Sequence, residues 1–277
     1  FLPKLGWMRY RNSRAVFGEV KNITISQKNG KWFASIQTER EAEQVVHPSN
    51  TVVGIDLGIA KFATLSTGEA FAPVNSFRAK QARLARYQRA MSRKVKFSKN
   101  WLKAKNKVSK LHRTIANIRK DYLHKTSTTI SKNHAIIVIE DLKIANMSKS
   151  AKGSSEKHGR NVKAKSGLNK AILDQGWFEF RRQLEYKQAW LGGQVIAVPP
   201  QYTSQRCACC GHTEKANRTT QAKFECVACG HAENADINAA RNILAAGLAV
   251  IACGEVTQLD PSMKQEPTEG KHSIPSE

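Results

Sequence analysis

TVVGIDLGIAKFATLSTGEAFA, residues 51–72, reads as a buried strand, a tight turn, a second strand, another turn and a short third strand. Val52, Val53 and Ile55 are the apolar residues of the first strand. Asp56 follows them directly, and an aspartate at the end of a buried strand pays for desolvation unless it is paired or metal-bound. The plainer alternative is an aspartate that satisfies turn amides. A second apolar run, AIIVIE at 135–140, again ends in a carboxylate, Glu140. Asp141 is the weaker ligand candidate, because strand alternation points it away from Glu140.

Between these runs lies a helical pattern over 77–130. Leu84, Tyr87 and Met91 mark one helix, and Val108, Leu111, Ile115, Ile118 and Tyr122 mark another, with SRKVKFSKN as the turn. The off-face positions carry Arg83, Arg86, Arg89, Arg93, Lys94, Lys103, Lys107 and Lys110, and Asp121 is the single acid between Phe77 and Glu140. A solvated helix face alternates charge sign; this one does not, so it reads as a surface that tracks phosphates. Residues 147–169 are Ser/Lys/Gly-rich without periodicity and read as a mobile loop. Leu173, Trp177, Phe180, Leu184 and Leu191 then mark one further amphipathic helix, interrupted by Gln188 and ended by Gly192-Gly193, before the strand Gln194–Val198.

Two Cys-x-x-Cys pairs follow, Cys207/Cys210 and Cys226/Cys229, fifteen residues apart. This is the spacing of a closed four-thiolate zinc site, which is structural because no coordination position is left for water. His212 and His231 are the less fitting ligand alternatives, and Cys209 and Cys253 have no evident partner. Arg218 lies among the cations that surround the module and would touch a strand backbone. Asn234 is the expected N-cap of a last helix whose first turn holds a third carboxylate, Asp236. At the other end of the chain, Ile23–Ile25 and Trp32–Ile36 flank Asn29-Gly30, a two-residue hairpin signal. That hairpin either covers an edge of the core or grips nucleic acid. The chain begins at Phe1, without Met, inside a strand pattern, which suggests a piece lacking its amino-terminal part.

Lys and Arg number 45 against 22 acids, a net charge of +23 over 277 residues. The leading partner is therefore a polyanion, nucleic acid above all. The cysteine usage fits a reducing compartment, the cytoplasm. The apolar run near Ile243–Ala252 is too short to span a bilayer, and there is no signal peptide, so no membrane partner is expected. After Gly254 the Pro-, Ser-, Glu- and Lys-rich tail reads as disordered.

The element order is α/β: three antiparallel strands lead into helix-separated parallel strands. It fits an RNase H-like fold, in which the first and fourth strand ends are neighbours and a late helix brings a third acid to them. Asp56, Glu140 and Asp236 would converge there. Three clustered carboxylates repel one another without cations and suit hard divalent ions, two Mg²⁺ about 3.5–4 Å apart, for phosphodiester hydrolysis.

The residues GIDLG (54–58), IVIEDL (137–142), LNKAILDQGWFEFRRQLEYK (168–187), TSQRCACCGH (203–212) and FECVACGHAENADINAARNIL (224–244) together resemble TnpB, the OrfB-type protein of bacterial insertion sequences, which is related to the compact type V CRISPR effector nucleases. The resemblance puts Asp56, Glu140 and Asp236 on the three RuvC motifs. It implies a transposon-associated, RNA-guided DNA endonuclease with guide RNA and target DNA as partners. It divides the chain into the end of a wedge-like β domain (1–50), a RuvC-like domain with a basic helical insert at 77–130 (51–205), a zinc ribbon that binds target nucleic acid (206–234), the third-motif helix (235–253) and a tail (254–277). The family's earlier wedge portion and helical recognition domain have no counterpart in this sequence. Two other readings share the scaffold: a non-catalytic nucleic-acid-binding regulator, expected to have lost an acid, and a transposase that joins a DNA 3′-hydroxyl in place of water.

Overall fold

The computed structural model describes residues 1, 6–12, 15–28, 30–41 and 45–253. Nine strands and six α-helices are formed among them. β1 (Glu19–Lys28) and β2 (Lys31–Glu39) make the expected hairpin, with Lys28 opposite Lys31 across a two-residue turn whose Gly30 has φ +74°. Asn29 lies outside the described residues. The hairpin is its own two-stranded sheet, and none of its described residues is fully buried, so it does not serve as a cover for the core.

The central sheet has the order β5-β4-β3-β6-β7. β3 (Val52–Asp56), β4 (Ala63–Leu65) and β5 (Ala70–Phe71) run antiparallel to one another, as the 51–72 stretch predicts. β6 (Ile136–Glu140) and β7 (Gln194–Val198) are parallel to β3. Strand alternation divides the side chains between two layers. Val53, Ile55, Ile137 and Ile139 face a core shared with Leu123, Ile130, Trp177, Phe180 and Leu184. Val138, Ile196 and Val198 face the opposite way, against Ile243 of the last helix.

α1 (Gln81–Ser92) and α2 (Lys99–Asn133) form a helical hairpin closed by Leu84, Val108, Leu111 and Ile115. α2 continues past it, so its carboxyl-terminal half also covers the sheet beside α5 (Trp177–Leu191). Asp174 anchors the base of the hairpin: it is buried and accepts hydrogen bonds from the Ser76 hydroxyl and from the backbone N–H groups of Phe77 and Arg78.

The stretch read as a single helix from Leu173 to Leu191 is two helices. α4 (Val162–Gln175) ends and α5 begins at Gly176, which sits in the left-handed region at φ +73°. Leu173 is consequently 54% exposed, off the buried stripe. Gln188 is buried and its amide nitrogen donates to the His134 carbonyl at 2.8 Å, which offsets part of its cost as a polar interruption, while its Oε1 has no partner among the described residues. The 147–169 stretch is also more ordered than its composition suggests. α3 (Ile144–Met147) ends at its start and α4 begins within it, because Lys165 donates to the Met147 carbonyl (2.6 Å) and Asn169 to Ser148 (2.8 Å).

α6 (Ala235–Ala252) crosses the rear of the sheet. Over its 18 residues it has a mean hydropathy of 1.2, long and apolar enough by composition to cross a bilayer, which the shorter run read from sequence did not reach. Its apolar content instead packs on β3, β4, β6 and β7. Two glycines permit that approach: a Cβ on Gly54 would strike the Ala240 carbonyl, and one on Gly247 would strike Val138. The tail from Gly254 lies outside the described residues.

Candidate active site and metal centre

β3 and β6 are parallel, with Ile55 opposite Ile139. Asp56 and Glu140, each one residue further on, therefore leave the same end of two adjacent strands. Asp236 arrives from α6, in the first turn after Asn234, whose side chain accepts the Asp236 N–H at 3.1 Å as the expected cap. Three acids separated by 84 and 96 residues of chain thus come to one end of the sheet.

The electrostatics register that proximity. The Asp56 carboxyl is pushed up to about 7, first by desolvation and then by the negative fields of Glu140 and Asp236. Glu140 is nearly buried, and its carboxyl is likewise raised by desolvation, against which the Thr203 hydroxyl donates a 2.6 Å hydrogen bond to Oε1. Lys61, in the β3–β4 turn, lies 3.4 Å from Asp236 Oδ2 and 3.4 Å from Asn234 Oδ1. Lys61 and Arg218 both lower the Asp56 carboxyl. Sequence reasoning set Arg218 on the outside of the cysteine module; it is half-buried there, donates to the Gln221 carbonyl, and its charge reaches Asp56. Thr203 and Lys61 carried no signal, since nothing in their local sequence marks them as neighbours of the acids. Asp141 points elsewhere, as alternation requires, to a 2.6 Å ion pair with Arg181. Beside Glu140 opens a cavity of about 490 Å³ whose walls include Leu57, Lys143, Trp177, Arg181 and Arg182.

The cysteine module is built differently. Cys207, Cys210, Cys226 and Cys229 bring all four sulfurs within 4.8 Å of one another, with Cys207–Cys229 at 3.7 Å and Cys210–Cys226 at 3.6 Å. A tetrahedral ion with bonds of about 2.3 Å would set sulfurs roughly 3.8 Å apart, so the cage fits zinc. Its charges need such an ion. Desolvation opposes ionisation at Cys226, yet the N–H groups of Cys229 and Ala228 bring that thiol down to about 6. Cys229 receives the His231 N–H, but the neighbouring Cys210 sulfur and burial outweigh it and push the thiol up to about 12. His212 and His231 lie outside the cluster, beside Glu214 and Glu233. Among the described residues the acids form no group as tight as the sulfurs do.

Three buried asparagines brace the cysteine module, and two of them tie it to the helix that carries Asp236. Asn217 donates to the Gln205 and His212 carbonyls and accepts from Val227 N–H, tying both knuckles together. Asn238 and Asn242 on α6 donate to the Arg206 carbonyl, and Asn242 also to that of Thr203, so the segment entering the module is fastened to the helix that carries Asp236. The sequence signal was two asparagines four apart on the apolar face of NAARN, where a polar residue must find a partner. The cations proposed for nucleic acid on the hairpin, Arg83, Arg86, Arg89, Arg93, Lys94, Lys103, Lys107 and Lys110, are all exposed, and none is brought to the acids.

Residues 35–151, which include Asp56 and Glu140, match the OrfB_IS605 family model, described as a probable transposase. Residues 177–243, which include the cysteines, Arg218 and Asp236, match the Cas12f1-like TNB domain. The Escherichia coli (strain K12) protein named "Putative RNA-guided DNA endonuclease InsQ" is 67% identical over 269 residues, covering 97% of this chain and 67% of that protein. A Streptomyces pristinaespiralis protein named "Putative RNA-guided DNA endonuclease" is 37% identical over 268 residues, covering 93% of this chain and 62% of that protein. The Cas12f1–sgRNA–target DNA complex superposes with a TM-score of 0.44 at 17% identity, over 80% of this chain and 55% of that one. The chain spans about two thirds or less of the length of these relatives. On the identity it shares with InsQ along nearly all of its residues, the chain belongs to the OrfB (TnpB) family of insertion-sequence proteins.

Proposed function

We propose that this chain carries the nuclease centre of an RNA-guided DNA endonuclease that hydrolyses DNA phosphodiesters at Asp56, Glu140 and Asp236. The observation that carries the reading is the convergence of these acids, from two parallel strand ends and a helix start, on a site where the Asp56 carboxyl is raised to about 7. The strand order β5-β4-β3-β6-β7, three antiparallel strands followed by parallel ones, supports an RNase H-like (RuvC) fold. The names of InsQ and its Streptomyces relative support guide RNA and target DNA as partners.

All three side chains offer hard oxygen donors, the set that divalent magnesium prefers. Two Mg²⁺ held there would supply a water activated for in-line attack and charge neutralisation at the leaving oxygen. Asp56, Glu140 and Asp236 would together hold these ions. Thr203 holds Glu140 in place and Lys61 steadies Asp236. Arg218 would face the non-bridging oxygens of the scissile phosphate. Cys207, Cys210, Cys226 and Cys229 would hold a structural Zn²⁺, and a reducing cytoplasm keeps those thiols available. The division into 1–50, 51–205, 206–234 and 235–253 follows the same reading, with α1 and α2 as a phosphate-tracking insert.

The test is to purify the chain, sequence any RNA that co-purifies, and assay matching DNA with Mg²⁺ beside Asp56→Ala. Guided cleavage that the substitution abolishes supports the proposal. Cleavage that survives it removes the acids from the chemistry.

A further inference from the structure

The tip of the α1–α2 hairpin is apolar where everything around it is cationic. Val95 is 80% exposed and Phe97 69% exposed, with Leu102 exposed on the first turn of α2. The Phe97 and Trp101 rings meet edge to face at 5.4 Å. Lys96 Nζ lies 5.0 Å from the centre of the Phe97 ring, and Lys105 Nζ lies 5.2 Å from that of Trp101. Behind the tip Asp121 is the first acid after Phe77, so both helices present cations without counter-charge.

This tip is held rigidly. Lys94 N–H donates to Met91 and Ser98 N–H to Val95, each at 3.1 Å, and the Ser98 hydroxyl caps α2 by accepting Trp101 N–H at 3.2 Å. Phe97 occupies φ +67°, a region where a bulky side chain is an outlier. Packing does not demand the ring at that position, because most of it faces solvent. A glycine would relax the backbone, so the sequence keeps an aromatic ring where folding alone favours none.

We propose that Phe97, with Trp101 behind it, is a stacking wedge for a base exposed at a duplex end or at a junction of duplex and single strand. The inference rests on the reading of α1 and α2 as a nucleic-acid surface, and it names which part of the nucleic acid the tip meets. The cationic flank of α1 runs about 18 Å, enough to follow several phosphates. The body of a duplex offers an apolar tip only phosphates and base edges. An unstacked base offers a flat face, which an aromatic ring binds whatever the sequence, and the flanking lysines add attraction to the phosphates beside it.

The experiment measures binding of the full chain, by fluorescence anisotropy, to a DNA duplex with a single-stranded overhang. A covalently closed circular duplex, which has no ends, serves as competitor, and 2-aminopurine at the first unpaired position reports stacking directly. Phe97→Gly removes the ring while suiting the positive φ, so it separates binding from folding. The wild-type chain is expected to prefer the overhang by about tenfold and to quench 2-aminopurine. Phe97→Gly is expected to lose both effects yet keep its affinity for the circle, and Phe97→Tyr to restore them. Equal preference and quenching in Phe97→Gly would overturn the proposal. So would a variant that binds nucleic acid unchanged but loses self-association, which would make the tip a protein contact. Absence of binding to either DNA would instead overturn the underlying nucleic-acid reading of the hairpin.

Discussion

The two sites proposed to hold metal, the cysteine cage and the acid cluster, are opposites in construction. The cysteine cage is local: its ligands come from 23 consecutive residues, and its sulfurs already sit 3.6–3.7 Å apart in pairs. The acid site is global: its ligands span 181 residues, and its oxygens are not gathered as the sulfurs are. A knuckle can close around an ion by turn geometry alone, whereas the acids meet only if the whole sheet and α6 are correctly assembled. The difference teaches that the cage is a fastener and the acid site is what it fastens, through Asn238 and Asn242.

Breaking the fastener should produce the largest effect. Cys226→Ser removes one of four thiolates from a site of a kind whose metal contributes about 10–16 kcal/mol to folding in isolated modules. The expected outcome is loss of bound zinc by elemental analysis, fast amide exchange across 206–234, and slowed cleavage as Asp236 loses its support. Unchanged zinc content with full activity would sever the proposed link between cage and acids.

The acid side has its own signature in pH. An aspartate in the unfolded chain has a pKa near 3.8, whereas the folded Asp56 carboxyl is pushed up to about 7. Well below pH 4 the group is protonated in both states and costs nothing. Between about pH 4 and 7 the unfolded state ionises while the folded state stays protonated, so stability falls across that window and levels off above it. The shift corresponds to about 4 kcal/mol at most. Raised Glu140 acts in the same direction. In metal-free buffer Asp56→Asn is expected to melt higher than wild type at pH 8 and level with it near pH 4, and Mg²⁺ should close the gap at pH 8. Equal melting curves at both pH values would contradict the crowding of the acids.

A smaller effect separates assembly from chemistry. Gly54→Ala puts a methyl group against the Ala240 carbonyl and must push α6 away from β3. Overpacking of this kind costs about 1–3 kcal/mol. Zinc content should stay at the wild-type level while cleavage falls, because the cage is local and the acid site is not. A loss of zinc in step with activity would show the two regions to be one cooperative unit.

Much of this was legible before the structure. Cysteine spacing is a local constraint, so the cage could be read directly from the chain. Apolar runs ending in Asp56 and Glu140 marked the strand ends, and it was their recurrence with Asp236, not either carboxylate alone, that set ligation above the satisfaction of turn amides. The break at Gly176 was hidden, since Leu173 before it and Trp177, Phe180 and Leu184 after it keep a helical spacing. The start of α4 was hidden because tertiary hydrogen bonds from Lys165 and Asn169, not apolar periodicity, secure it. Lys61, Thr203 and Arg218 could not be placed, since their closeness to the acids exists only after folding. The last helix was read at nearly its full extent, 235–253, while its apolar run looked shorter because Asp236 and Arg241 interrupt it.

The central claim, that Asp56, Glu140 and Asp236 bind divalent cations together, is tested most directly by titrating the zinc-loaded chain with Mn²⁺ and following bound ion by electron paramagnetic resonance. The account predicts about two bound ions per chain, lost together in Asp56→Asn while zinc is retained. Identical Mn²⁺ binding by that variant and the wild type would contradict it.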